Sequence, residues 1–459
     1  MKKKILTGAG GAATAAAAAV SVTAALLLAT LAFATIWFPA TVTDRIDLYQ
    51  GDLLIRYNEI KCLKQGVNPF NVWSGKVRHG NFAPFTGRRS DPAHEYVHAH
   101  MPWEYTMMLP IASVPLKTAK NMALALNSIL YLALVAWAVR FAMKHGKNFA
   151  VACLIAALAF GFNVWEWSGA LFWANYGGVF CALTILMAYA LAKDDGDPFS
   201  RHAFLTGLAI AAMMVKPHFG FLFCVTLLIN RRFAPVAIGA AACAVASIPP
   251  AIMCREWPWT MIAKTLEGGK HFYDGSAFIT RIYQARLVSA HGFTQDEVVY
   301  LSMAIGLVLC AAMSFMLRRS DDWLEKLIPP ALIAPMWTYT VPHDLALWTV
   351  PAVWLLGRKA RGKVGWALAL AVMAFAAVAC YRGAWDWMKV WTEHYVRPVW
   401  SERFSDNAIF KSLLSWKKRY NKGLGYRYKQ IVLASFFAWS AFRAWEMRKR
   451  EGRRMKFEG

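Results

Sequence analysis

Long apolar runs separated by short polar turns occupy most of the chain, and their lengths set the first expectation. A bilayer core takes about 20 apolar residues of helix, at about 1.5 Å per residue. Spanning helices are therefore predicted over residues 8–38, 119–141, 148–164, 175–192, 202–215, 218–229, 233–252, 297–317, 324–341, 344–357 and 364–381, with a marginal last span over 431–446. Two longer polar segments, 40–103 and 253–296, interrupt the series. Residues 104–116 are apolar but too short to cross, and Pro110 and Pro115 break them. They are predicted to form an interfacial or re-entrant helix. The runs 324–341 and 344–357 read as a hairpin broken at Pro342-His343-Asp344. The expected fold class is an all-α polytopic membrane protein with about 11–12 transmembrane helices and a large first outer loop.

Composition agrees. The chain is 58% hydrophobic and 17% charged, with 21 Trp, more apolar surface than a soluble domain can bury. Its net charge of +24 points to anionic headgroups or phosphorylated substrates before nucleic acid, for which no module is present. The eight cysteines are scattered, with no Cys-x-x-Cys. Six lie in apolar stretches and read as packing residues. Cys62 and Cys254 stand in or beside the two polar segments, where a bridge between them is an open alternative. The N-terminus begins MKKK and runs apolar from Ile5 to Phe38, longer than the signal-peptide core of about 7–15 residues. It is read as a retained helix, with cleavage near Ala32-Phe33-Ala34 as the alternative. With Lys2–Lys4 inside, the short basic turns that follow stay inside, and segments 40–103 and 253–296 fall outside.

Soluble-enzyme motifs are absent: there is no G-x-x-x-x-G-K-[ST] and no H-E-x-x-H. Gly8-Ala9-Gly10-Gly11-Ala12-Ala13 fits G-x-G-x-x-A formally, but it lacks a preceding strand and reads better as close helix packing. Four polar features of the outer side remain. The first is the acid series Asp44, Asp47 and Asp52, any of which could act as a general base. A helix there places Asp52, Arg56 and Glu59 on one face, and Gly66-Val67-Asn68-Pro69-Phe70 closes it with a turn. The second is Lys216, costly between membrane spans and suited to holding a phosphate, or else an interfacial snorkelling residue. The third is His343-Asp344, which would line a cavity or cap the next helix. The fourth is His94, His98 and His100 with Glu95, a spacing that allows a metal. No further ligand set is evident in the sequence, so the cluster is read as a hydrogen-bonding loop with a metal site as the alternative; no cofactor is expected, and a divalent metal stays open.

Taken in order, these features resemble the GT-C glycosyltransferases, and among them glycosyltransferase family 87. The motifs that carry the resemblance are Asp52, then Tyr57, then Gly66-Val67-Asn68-Pro69-Phe70. His100-Met101-Pro102-Trp103 with Leu109-Pro110 stands where the family has a Tyr-Pro-Pro element, and lacks its tyrosine and one proline. Ala174-Asn175-Tyr176-Gly177, Met214-Val215-Lys216-Pro217 and Val341-Pro342-His343-Asp344-Leu345 follow, the last with histidine for the family's tyrosine. The resemblance covers roughly residues 44–357 and implies a GT-C-like transmembrane catalytic domain over 1–381, followed by a basic extension over 382–459. It implies transfer of a hexose, typically mannose, from a polyprenyl-phosphate sugar to an envelope glycolipid or glycan acceptor, with inversion. The active site would face outward from a bacterial inner membrane, among membrane lipids and without nucleic acid. Asp52 would be the base, with Asp47 the runner-up. Arg56, Lys216 and His343 would hold the donor phosphate, and Asn68, His100, Asn175 and Asp344 would line the substrate site. Two other readings stand beside it: a transporter or flippase for an anionic lipid, and an inactive structural relative.

Overall fold

The computed structural model of the protein describes residues 2–42, 52–74, 80–84, 95–98, 100–161, 167, 171, 175–273, 292, 294–337, 342–358 and 434–449. These are overwhelmingly helical, and the chain is an all-α polytopic membrane protein. Helix α1, Lys2–Val42, is alanine-rich and needs little side-chain ordering to form. Its Ser21 and Thr23 hydroxyls fold back onto the carbonyls of Ala17 and Ala19, so they cost little inside an apolar helix.

The described part of the first polar segment forms a small layer, with the helix and turn expected at its start. It holds α2 (Asp52–Lys64), α3 (Pro69–Trp73), and a parallel pair of three-residue strands, β1 (Phe82–Pro84) and β2 (Glu95–Val97). The turn between α2 and α3 is built as its residues require: Gly66 takes φ +71°, Asn68 caps α3 by accepting from the Phe70 N–H at 2.9 Å, and Pro69 opens that helix. A short buried helix follows, α4 (Pro102–Met108), where an interfacial segment was expected. Leu53, Ile60 and Leu63 of α2 pack with Phe70, Tyr105, Met108 and Met261 to seal the layer.

The bundle consists of α5 (Leu116–Lys144), α6 (Phe149–Gly161), α7 (Gly177–Ala192), α8 (Arg201–Met213), α9 (Pro217–Ile229), α10 (Phe233–Ala246), α11 (Ile248–Cys254), α12 (Pro258–Tyr273), α13 (Gln295–Leu317), α14 (Trp323–Lys326), α15 (Ile328–Trp337) and α16 (Thr349–Gly357). Among the described residues, four apolar helical stretches are long enough to cross a membrane: Ala16–Trp37, Leu116–Lys144, Phe233–Cys254 and Tyr300–Leu317. Others expected as spans are shorter apolar helices, among them Phe149–Gly161, Gly177–Ala192 and Pro217–Ile229. Their limits fall where the backbone is broken, for example at Lys216-Pro217 before α9. The predicted hairpin becomes α14, α15, a 3₁₀ helix over Pro342–Trp348 and α16. The predicted span 364–381 lies outside the described residues.

Helices α8 and α10 approach closely because Gly207 and Gly239 face each other; a Cβ on Gly207 would stand 2.5 Å from Ile238 Cγ2 and 2.9 Å from the Pro235 carbonyl. A last helix, 434–449, docks on the bundle through Arg443, which donates to the buried Glu325 at 2.8 Å, and through Trp439, whose ring meets Trp354 edge-on at 5.2 Å. Cys62 and Cys254 are both free thiols, so the bridge left open by the sequence is not formed.

Candidate active site

Three breaks in the fold meet at one place. Helix α2 begins there with Asp52, α7 begins just after Asn175, and α9 begins just after Lys216. The 3₁₀ helix adds Asp344, and α4 adds Glu104. Their side chains form one continuous polar chain. Glu104 accepts from Arg56 Nε at 2.5 Å and from the Tyr176 hydroxyl at 2.9 Å. Arg56 lies over the Tyr176 ring at 4.5 Å and brings Nη1 to 3.8 Å from Asp52. Asp52 accepts a short hydrogen bond from the Asn175 amide. The carbonyl of that amide accepts from Lys216 Nζ at 3.4 Å, and Lys216 donates to Asp344 at 2.5 Å. His218, also buried, is within electrostatic reach of Lys216 and Asp344.

Burial divides the acids sharply. Glu104 and Asp344 are 1% and 0% exposed, and each is tied to a cation. The side chain of Asp52 is 33% exposed. Arg56 is buried, which works against its charge, yet Tyr176, Glu104 and Asp52 outweigh that and raise its pKa above the ordinary guanidinium value. Three buried atoms of this chain of contacts, Arg56 Nη1, Glu104 Oε2 and Asp344 Oδ2, have no hydrogen-bond partner among the described residues. A guanidinium nitrogen without a hydrogen-bond partner is a donor that an oxyanion could use.

A second cluster sits two turns along α2. Glu59 is fully buried and accepts from the His98 backbone N–H at 2.7 Å, and its other oxygen meets His100 Nδ1 at 2.8 Å. Burial raises the Glu59 pKa, partly offset by His100. Burial alone would lower His100, but Glu59 overcomes it and the imidazole pKa is raised.

The sequence model of glycosyltransferase family 87 matches residues 102–334, just over half of the chain. The chain belongs to glycosyltransferase family 87. Searches of curated proteins and of solved structures gave no match. Membership makes this protein a membrane glycosyltransferase. The family 87 match carries Glu104, Asn175, Tyr176 and Lys216, whereas Asp52, Arg56 and Asp344 lie beyond its ends and join the site through their contacts with those residues.

Of the residues singled out in the sequence, the fold brings together Asp52, Arg56, Asn175, Lys216 and Asp344. Asn68 stands apart: its amide donates to Glu256 at 2.6 Å while its oxygen caps α3. His100 belongs to the second cluster. Asp44, Asp47 and His94 lie outside the described residues, as does the side chain of His343. Sequence reasoning passed over Glu104 and Tyr176 as members of the site. Glu104 opens an apolar run and Tyr176 was read only as part of a helix entry, so neither had a charge pattern to mark it. The signal available was Glu104 itself, an acid inside a segment predicted to touch the membrane.

Proposed function

We propose that this glycosyltransferase moves a hexose, mannose first among candidates, from a polyprenyl-phosphate sugar to an envelope glycolipid or glycan acceptor. The reaction is placed at the outer face of a bacterial inner membrane, in a catalytic domain spanning residues 1–381 with a basic extension over 382–459. The observation that carries the reading is the exposure of the Asp52 side chain, midway along a polar chain whose other acids, Glu104 and Asp344, are buried. Glu104 and Asp344 are buried against Arg56 and Lys216, whereas Asp52, which meets Arg56 and Asn175, keeps a side chain open enough to take a proton from an arriving hydroxyl. Asn175 orients the carboxylate.

The acceptor oxygen attacks the anomeric carbon as its proton passes to Asp52, and the bond to the lipid phosphate breaks on the opposite side. Inversion follows. Negative charge builds on the departing phosphate, and Arg56 and Lys216 are the cations that face it. His343 joins them on the strength of the family resemblance. Asn68 and His100 would shape the substrate site from the surrounding layer.

The test uses purified protein in nanodiscs with a membrane lipid extract. Radiolabelled polyprenyl-phosphate mannose, polyprenyl-phosphate glucose and a nucleotide sugar are supplied in parallel. Transfer from a polyprenyl-phosphate donor to a new lipid or glycan product is expected. Transfer from the nucleotide sugar alone would overturn the donor assignment.

A further inference from the structure

The sequence offered His94, His98 and His100 with Glu95 at metal-ligand spacing, but no further ligand set. The fold supplies one. Glu59 of α2 comes to His98 and His100 from the far side, and the three ligand atoms lie within 4.8 Å of one another. We propose that Glu59, His98 and His100 bind a divalent metal ion of the zinc class, which fastens the segment between β2 and α4 to helix α2.

The donor set is the first argument. Two imidazoles and a carboxylate are a recurrent three-ligand set for Zn²⁺, with water in the fourth position. Bonds of about 2.0–2.1 Å in a tetrahedron put ligand atoms about 3.3 Å apart. The Glu59–His100 contact at 2.8 Å would open slightly, and the wider pairs would close, to meet that spacing. The second argument is orientation. His98 and His100 follow β2 two positions apart in sequence, and their ring centroids are 5.0 Å apart. Around them stand contacts that fix the backbone carrying the two rings. The Trp73 ring packs on His98 at 4.3 Å. The His98 N–H holds one Glu59 oxygen at 2.7 Å. The Thr265 hydroxyl donates to the His100 carbonyl at 3.1 Å, and the Tyr105 hydroxyl accepts from the His100 N–H at 3.1 Å. The third argument is burial: a fully buried carboxylate facing two imidazoles is a centre whose charge a cation would complete.

The site is distinct from the reaction centre. Glu59 lies seven residues beyond Asp52, about 10 Å along the helix. The ion would therefore hold the layer together: it cross-links α2, which carries Asp52 and Arg56, to the approach to α4, which carries Glu104.

The experiment uses the full-length, tag-free protein in detergent, stripped with a chelator and then titrated with Zn²⁺ or Co²⁺ alone. Binding is followed by calorimetry, by metal analysis after desalting and by the visible bands of tetrahedral Co²⁺. One tight equivalent is expected for the wild type, with a rise in thermal midpoint as Zn²⁺ is added. In His98→Ala and in the near-isosteric Glu59→Gln, that equivalent is expected to weaken at least about 10- to 100-fold, judged against losses seen even for groups behind the ligands. The Zn²⁺-dependent shift in midpoint is expected to vanish in both. A wild type that retains no metal, or variants that retain as much as the wild type with the same Co²⁺ spectrum, would overturn the proposal. Glu59→Gln keeps the hydrogen-bonding shape of the site, so a folded variant is available to decide the outcome if His98→Ala fails to fold.

Discussion

Replacing Arg56 by methionine removes the cation that Glu104 faces and leaves the carboxylate 1% exposed with the Tyr176 hydroxyl as its remaining partner. Two unit charges about 4 Å apart attract by about 4 kcal/mol at an effective dielectric of about 20. Removing one member of a buried pair costs about 3–5 kcal/mol, because the other charge stays desolvated. The two figures agree, so Arg56→Met should destabilise the layer by that amount. The double variant Arg56→Met/Glu104→Met removes both charges. It leaves the Tyr176 hydroxyl without its Glu104 acceptor, about 1 kcal/mol, but strands no charge. It should recover most of the loss, a coupling of about 2–3 kcal/mol. The assay is tryptophan-fluorescence unfolding of the three proteins in one detergent, ranked by midpoint. The expected order is wild type, double variant, single variant. A double variant at or below the single one would refute the reasoning, since it would mean that the pair itself holds α2 to α4.

Other expectations follow from the same geometry. Gly207→Ala should lower stability by about 1–3 kcal/mol, because the new Cβ meets Ile238 and the Pro235 carbonyl between α8 and α10; an unchanged thermal midpoint would speak against that close approach. Asn68→Ala removes the α3 cap and the bond to Glu256, and should cost about 1–2 kcal/mol in the same unfolding assay. Lys216→Met should weaken binding of a polyprenyl phosphate about 10- to 100-fold, the worth of one charged hydrogen bond; equal binding by variant and wild type would remove Lys216 from the phosphate site.

Much of the fold was legible because a membrane helix needs little beyond apolar length. The run predicted over 119–141 is the core of Leu116–Lys144, and 297–317 is nearly Gln295–Leu317. The turn at Gly66–Phe70 was equally plain, since a positive φ and an Asn cap followed by Pro are local demands. What periodicity could not give was depth and partnership. Lys216 read equally well as a snorkelling residue or a buried one, and only the position of Asp344, far along the chain, decides that it is buried and paired. Glu59 looked like one charge on a helix face; its meeting with His98 and His100 depends on how β2 returns past α2. The short runs predicted over 175–192, 202–215 and 218–229 are close to α7, α8 and α9, but hydropathy does not say that their ends bring Asn175 and Lys216 to the same point.

The central claim is that Asp52 removes the acceptor proton. Single-turnover transfer from a polyprenyl-phosphate sugar, wild type against Asp52→Asn, tests it most directly. Asparagine keeps the size and the contact with Asn175 while removing the base. The account predicts a rate lowered by about 10²- to 10⁴-fold, the usual worth of general base catalysis, with unfolding midpoint and polyprenyl-phosphate affinity within a few-fold of wild type. Transfer by Asp52→Asn at the wild-type rate would contradict it and move the base elsewhere in the acid series.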